Sequence, residues 1–311
     1  MSGWRAGLVA VAIGGIILAI GAVVAALGDD GTPAYSTTST TAAPGAVALA
    51  CVPALEEACA DLGATLGAPT RTFRPGTDPG DGVVVVAPAA DLPSGMTGAV
   101  VARTPIAVAI WRERAAVLAP GCGGTVGPSC LAGAYGRQWG DLGGDAAWAV
   151  FKVGLADPTR SASALEAWRA VAGAGVPSGL GGSLRVRAAD DAALLIEVAQ
   201  FGPSRADAVV ATEVAIAGQL VNVLDVGRLE VYYPDPGPWV EYVAAPRGGG
   251  ADRLAERLLS PEVQSRLAAF GLRPASGDAA GLPDGLGTPG RPLGPMTDAE
   301  KAALLAAWQD L

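Results

Sequence analysis

Short, wholly apolar runs alternate along this chain with longer stretches whose apolar positions recur every three or four residues. "AVALAC" (46–51) and "GVVVVAP" (82–88) belong to the first kind and predict buried strands. "PALEEACADLGATL" (53–66) belongs to the second and predicts a helix, with Pro53 suited to its first position. "VVARTPIAVAIW" (100–111) predicts a third strand, broken at Thr104-Pro105. "WAVFKVGLADPTRSASALEAWRAVAGAG" (148–175) predicts a strand ending near Leu155, a turn at Asp157-Pro158 and a helix from about Ser161, with Ser163 and Glu166 at capping-box spacing. "DDAALLIEVAQF" (190–201) predicts a helix starting at Asp190-Asp191. "RADAVVATEVAIAGQL" (205–220) predicts strand, tight turn and helix, and "RLEVYYPDPGPWVEYVAAP" (228–246) two strands around a Pro/Gly break. The Gly-rich "GAGVPSGLGGS" (173–183) lacks the Lys-Ser/Thr of a phosphate loop and reads as a plain loop. Apolar strands alternating with helices predict an α/β fold with mainly parallel sheets.

The end of the chain is helical. "LAERLLSPEVQSRLAAFGLRPA" (254–275) predicts two short amphipathic helices joined at Ser260-Pro261 and stopped at Gly271. The loop "PDGLGTPGRPLGP" (283–295) follows, and "TDAEKAALLAAWQDL" (297–311) predicts a capped helix.

The other end is different in kind. Residues 6–27 contain no charge, and at ~1.5 Å per residue they span roughly 33 Å, enough for a bilayer core. Arg5 precedes this stretch and Asp29 and Asp30 follow it, which predicts an N-terminus inside the cell and the bulk of the chain outside. Residues 1–31 are therefore expected to be a membrane anchor or a cleaved signal segment, the length favouring the anchor. The Ser/Thr/Pro/Ala stretch 32–45 is expected to be a flexible linker.

Composition narrows the chemistry. The chain has 311 residues, half of them hydrophobic, and a net charge of −9, which argues against a nucleic-acid partner. It has no histidine, which removes Ser-His-Asp and Cys-His catalysis and His-ligated zinc. Asp157, Asp190, Asp191 and Glu197 match neither a calcium loop nor a glycosidase pair. No enzyme activity, metal or cofactor is expected. Cys51 and Cys59, like Cys122 and Cys130, are eight residues apart, and export points to disulfides. Cys122 and Cys130 bracket a Gly/Pro-rich loop that closes easily. Cys51 and Cys59 would be about 12 Å apart in one helix, so they pair only if the chain folds back between them; the alternative is pairing between the two clusters.

Four stretches, in order, resemble bacterial extracellular solute-binding proteins of the two-lobed class that includes molybdate- and sulfate-binding members: "RTPIAVAIWRERA" (103–115), "VGLADPTRSASAL" (153–165), "ADAVVATEVAIAG" (206–218) and "LLSPEVQSRLAAFGLRPA" (258–275). The C-terminal "TDAEKAALLAAWQDL" is similar to the segment leading into a von Willebrand factor A domain in some relatives, so the chain resembles the solute-binding part of such fusions. The resemblance implies a periplasmic-binding-protein-like fold with a hinge. Lobe one would comprise 46–148 and 234–296 and lobe two 149–233, with crossings near Trp148–Lys152 and Tyr233–Trp239. It implies capture of a small polar ligand for an ABC-type permease or sensor. The alternative is an envelope interaction module acting with a von Willebrand-type partner.

Ligands of open α/β sheets bind beyond the carboxyl ends of strands, where helix N-termini attract anions. Carried onto this chain, the resemblance places Thr104, Ser161, Ser163, Thr212 and Glu213 at such ends, Cys51 where relatives often carry a hydroxyl residue, and Tyr233 at the second crossing. Glu166 and Glu213 would repel a bare anion if they faced the cleft, so a zwitterionic or neutral solute fits as well as an oxyanion. A disulfide at Cys51 would remove it as a donor.

Overall fold

The computed structural model describes residues 46–222, 228–275 and 281–311, the side chains of 219–222 excepted. The apolar stretch 6–27 and the linker 32–45 lie outside the described residues. Among the described residues, no helix is long and apolar enough to cross a membrane.

In chain order the strands are β1 (Ala48–Cys51), β2 (Thr70–Thr72), β3 (Val83–Pro88), β4 (Ala99–Trp111), β5 (Val153–Ala156), β6 (Leu184–Ala188), β7 (Ala208–Thr212), β8 (Leu229–Tyr232), β9 (Trp239–Arg247) and β10 (Arg273–Pro274). The longer helices are α1 (Glu56–Leu66), α2 (Arg112–Leu118), α3 (Ala162–Ala172), α4 (Asp191–Phe201), α5 (Glu213–Asn222), α6 (Ala251–Leu258), α7 (Pro261–Ala268) and α8 (Asp298–Gln309). The strands run in the order β2-β1-β3-β9-β4-β7-β5-β6, with β8 and β10 also paired to β4.

β4 divides this array. Ala99–Pro105 pairs with β9, whereas Ile106–Ile110 pairs with β7. We call β1, β2, β3, β9, β10 and the first half of β4 sheet A. The second half of β4 with β5, β6, β7 and β8 is sheet B. No break occurs at Thr104-Pro105. Pro105 has no N–H to offer a ladder, and it sits where β4 changes partners. The next N–H, that of Ile106, donates to Pro238 O at 2.9 Å, in the segment that returns from sheet B to sheet A. The chain thus passes between sheets inside β4, and Arg114, Trp139 and Lys152 bond to Asp207 just ahead of β7. The return, between β8 and β9, lies at 233–238.

The sheets are mixed rather than mainly parallel. β1 runs parallel to β2 and β3, and β5 parallel to β6 and β7. β9 and β4, which run beside strands of the opposite direction, pair antiparallel throughout. On β4 the period of two is visible: Ile106, Val108 and Ile110 enter one core, and Ala107, Ala109 and Trp111 enter a second that includes Leu194, Leu195 and Ile216.

The α6–α7 pair packs on sheet A. Its buried faces are Ala251, Leu254 and Leu258, then Val263, Gln264 and Leu267. Gln264 donates from Nε2 to Leu258 O at 2.8 Å and accepts from Ala275 N at 3.0 Å. One buried amide thus closes the end of α6 and holds the strand that follows α7. Gly271, at φ 78°, ends the pair, and a Cβ there would stand 2.4 Å from Ala217 Cβ. Both disulfides are local: Cys51–Cys59, with Cα atoms 6.3 Å apart, and Cys122–Cys130, at 5.6 Å. The 3-10 turn Pro53–Leu55 folds the chain back between Cys51 and Cys59, so the two are not in one helix.

Candidate functional site

β1, β3, β5 and β6 all end at one cleft of about 720 Å³ between the sheets. Val52–Ala54 and Pro88–Leu92 line it from sheet A, together with Tyr242 of β9. Pro158–Ser163 and Ala189–Asp191 line it from sheet B, and Lys301, Leu305 and Gln309 of α8 wall one side. This size suits a small solute.

Ser161 is the N-cap of α3: its backbone is extended, and its Oγ accepts from Ala164 N at 3.2 Å. The expected Ser163–Glu166 capping box does not form, because Ser163 already lies inside the first turn, buried, with its Oγ 3.2 Å from that of Ser161. Glu166 instead lies 3.4 Å from Arg169. The first N–H of α3, that of Ala162, donates across the cleft to Asp91 Oδ1 at 2.8 Å. A carboxylate from sheet A therefore occupies a helix N-terminus of sheet B. Burial lifts the Asp91 carboxyl to about 6, against the opposing pull of Ala162 N–H and Lys301.

Asp190 and Asp191 divide two tasks. Asp190 caps α4, accepting from Ala193 N at 2.9 Å. Asp191 turns inward and is 1% exposed. Its Oδ2 accepts from Thr212 Oγ1 at 2.8 Å and Thr212 N at 3.2 Å, while its Oδ1 has no hydrogen-bond partner. Burial, chiefly, raises its carboxyl to about 6. The Tyr242 hydroxyl, on a side chain 1% exposed, also lacks a partner. Burial, then the charges of Asp191 and Asp91, push it well above the ordinary tyrosine range.

Of the residues singled out from sequence, Ser161 and Ser163 line the cleft. Thr212 is fully buried and bonded to Asp191. Thr104, Glu213 and Tyr233 gather elsewhere, beside the passage between the sheets. Thr104 Oγ1 accepts from Val214 N at 3.0 Å, within the first turn of α5. Buried Glu213 receives Arg273 Nε at 2.9 Å, Arg273 Nη2 at 2.8 Å and the Tyr233 hydroxyl. Glu213 is thereby neutralised outside the cleft lining. Cys51 is committed to its disulfide, and the loop residues just after it reach the cleft instead.

Asp91, Asp191, Tyr242 and Lys301 did not stand out as site residues. For Asp191 a signal existed: it shares the buried face of α4 with Leu194, Leu195 and Val198. An acid on an apolar stripe needs a reason. Asp91, in a turn, and Tyr242, in an apolar strand, carry no such mark. Among the described residues, no group of three or more Cys, Asp or Glu is placed to hold a metal ion.

No protein-family model and no curated protein sequence matches the chain. Solved structures do. The periplasmic thiamin-binding protein superposes with a TM-score of 0.58 at 14% identity, covering 85% of this chain and 95% of that one. The ferric-binding protein from Campylobacter jejuni gives 0.50 at 12%, covering 85% and 96%. The sulfate-binding protein from Mycobacterium tuberculosis gives 0.49 at 15%, covering 85% and 96%. At these identities the likeness is one of architecture, and by that likeness the chain has the mixed α/β fold of periplasmic binding proteins.

Proposed function

We propose that this protein is an extracytoplasmic solute-binding protein. It would capture a small polar ligand between a lobe built on sheet A and a lobe built on sheet B, and present it to a transporter or sensor. The two lobes would move about β4 and residues 233–238, and residues 6–27 would hold the protein at the membrane. The observation that carries this reading is the cleft itself, where strand ends of both sheets and the N-termini of α3 and α4 converge and Asp91 bonds to Ala162 across the gap. The solved structures with this fold that bind thiamin and ferric iron support the same class of task.

A second reading, an envelope interaction module working with a von Willebrand-type partner, is favoured by α8. This helix walls the cleft and is firmly docked: Leu304 O accepts from Trp168 Nε1 at 2.7 Å, and Glu300 binds Arg169 at 2.7 Å. Thermal unfolding of the full-length chain against oxyanions, amino acids, sugars, amines and metal ions separates the two. A solute at 100 times its dissociation constant adds about 2.7 kcal/mol. A clear rise for one class is the expected result. A folded, disulfide-intact protein that responds to none of them favours the interaction module.

A further inference from the structure

The sign of the charge at the floor of the cleft selects among solutes. Asp191 and Asp91 converge there from opposite sheets, and Asp91 feels the negative charge of Asp191. Asp191 is 1% exposed and keeps one oxygen without a hydrogen-bond partner, and the Tyr242 hydroxyl, equally buried, is also unpartnered. A buried acceptor left unmatched costs on the order of 1–3 kcal/mol, so this floor is built to receive a donor. The basic residues of the lining, Arg74, Arg160 and Lys301, all remain exposed at the rim. The place an oxyanion would take, the N-terminus of α3, is already held by Asp91. An entering oxyanion would have to displace one carboxylate and approach a second.

We infer that the cleft takes a small organic cation, an amine or amidinium whose charged end sits between Asp91, Asp191 and Tyr242. This rests on the solute-binding reading and names its ligand class. An ammonium or amidinium N–H supplies Asp191 Oδ1 with its missing donor, and the Tyr242 hydroxyl oxygen can accept a second N–H. The positive charge also offsets the mutual repulsion of the two carboxylates. Where the solute is a zwitterion, its anionic end points outward, towards Arg74 and Arg160. A bare metal ion is a poorer match, since among the described residues no third Cys, Asp or Glu joins these two carboxylates in a group that could hold one.

The test is calorimetric titration of the full-length chain with three sets of probes: putrescine, agmatine and arginine; sulfate, phosphate and molybdate; calcium, zinc and ferric citrate. At least one organic cation is expected to bind, with affinity falling tenfold or more in Asp191→Asn and measurably in Tyr242→Phe. Should Asp191→Asn fail to fold, Tyr242→Phe and the wild-type ranking decide. Binding of an oxyanion or a metal ion in place of every cation overturns the inference while leaving a solute-binding protein. A cation that binds equally to wild type and both variants also overturns it. Silence from all three sets overturns this inference, and the solute-binding reading falls with it only when the sugars and amino acids of the thermal panel are silent as well.

Discussion

Asp207 precedes β7 and is fully buried, yet it is fully used. It accepts from Arg114 Nε at 3.0 Å, Trp139 Nε1 at 3.0 Å and Lys152 N at 2.8 Å. Arg114 in turn lies 3.4 Å from the ring centroid of Trp148. Three segments of residues 112–152 are thus tied to sheet B through one carboxylate. Removing one partner of a buried pair leaves the other charge stranded, which typically costs about 3–5 kcal/mol. Asp207→Ala is expected to lose that much in urea unfolding, and a loss below about 1 kcal/mol would show the network to be dispensable. Asp191 makes the opposite case, because its fold-imposed shift is upward. Its carboxyl rises from an ordinary 3.8 to about 6, so between those values the folded chain holds a proton that the unfolded chain releases. Stability from this group therefore grows as pH falls through the window and is lost as pH rises through 6. Asp190, Asp91, Ser163, Thr212 and Tyr242 all face it, and none supplies a positive charge. Measured from pH 7 to pH 4, wild type should gain stability relative to Asp191→Asn, in which carboxylates shifted the other way, such as Asp61 beside Arg266, cancel out. A flat difference would place Asp191 in an ordinary environment.

At the scale of elements, legibility followed periodicity and stopped where pairing began. β1, β3 and β7 are continuous apolar runs because helices or other strands cover both faces, and such runs are plain in a sequence. The α6–α7 pair was legible from Ser260-Pro261 and Gly271, and the buried Gln264 shows why that segment carries a glutamine at a position of the core. β6 also had a signal that a Gly-rich neighbourhood obscured: Leu184, Val186 and Ala188 are buried, while Arg185 and Arg187 point out. β2 and β10 have only three and two residues, too few for any period to register. The exchange of partners along β4 is not a local property at all. Nothing in "RTPIAVAIW" distinguishes a strand that breaks at proline from one that changes sheets there, because the answer lies in β7 and β9, more than a hundred residues downstream. The site was legible in the same proportion. The hydroxyls at the start of α3 announced themselves through capping chemistry, whereas Asp91 and Tyr242 acquire meaning only when the two sheets face each other.

For the molecule as a whole, the decisive contact is the one between Asp91 and the first N–H of α3. It joins the turn after β3 to the helix after β5, elements that belong to different sheets and share no strand pairing. A hydrogen bond to a charged group contributes roughly 1.5–3 kcal/mol, and a difference of that size between open and closed arrangements changes their ratio at least tenfold. Asp91→Ala should therefore shift the ligand-free protein towards an open cleft. Spin labels on exposed Ala90 and Arg160, which flank the cleft from the two sheets, would report this as a longer and broader distance distribution. Because the same carboxylate is assigned to hold the cation, solute should keep the distance short in wild type but restore it only weakly in the variant. A variant that stays as closed as wild type without solute would mean that α8 holds the sheets together. Lys301, Leu305 and Gln309 reach the cleft from a helix anchored on Trp168 and Arg169. In that event the opening motion would begin with the release of α8 rather than with the loss of Asp91.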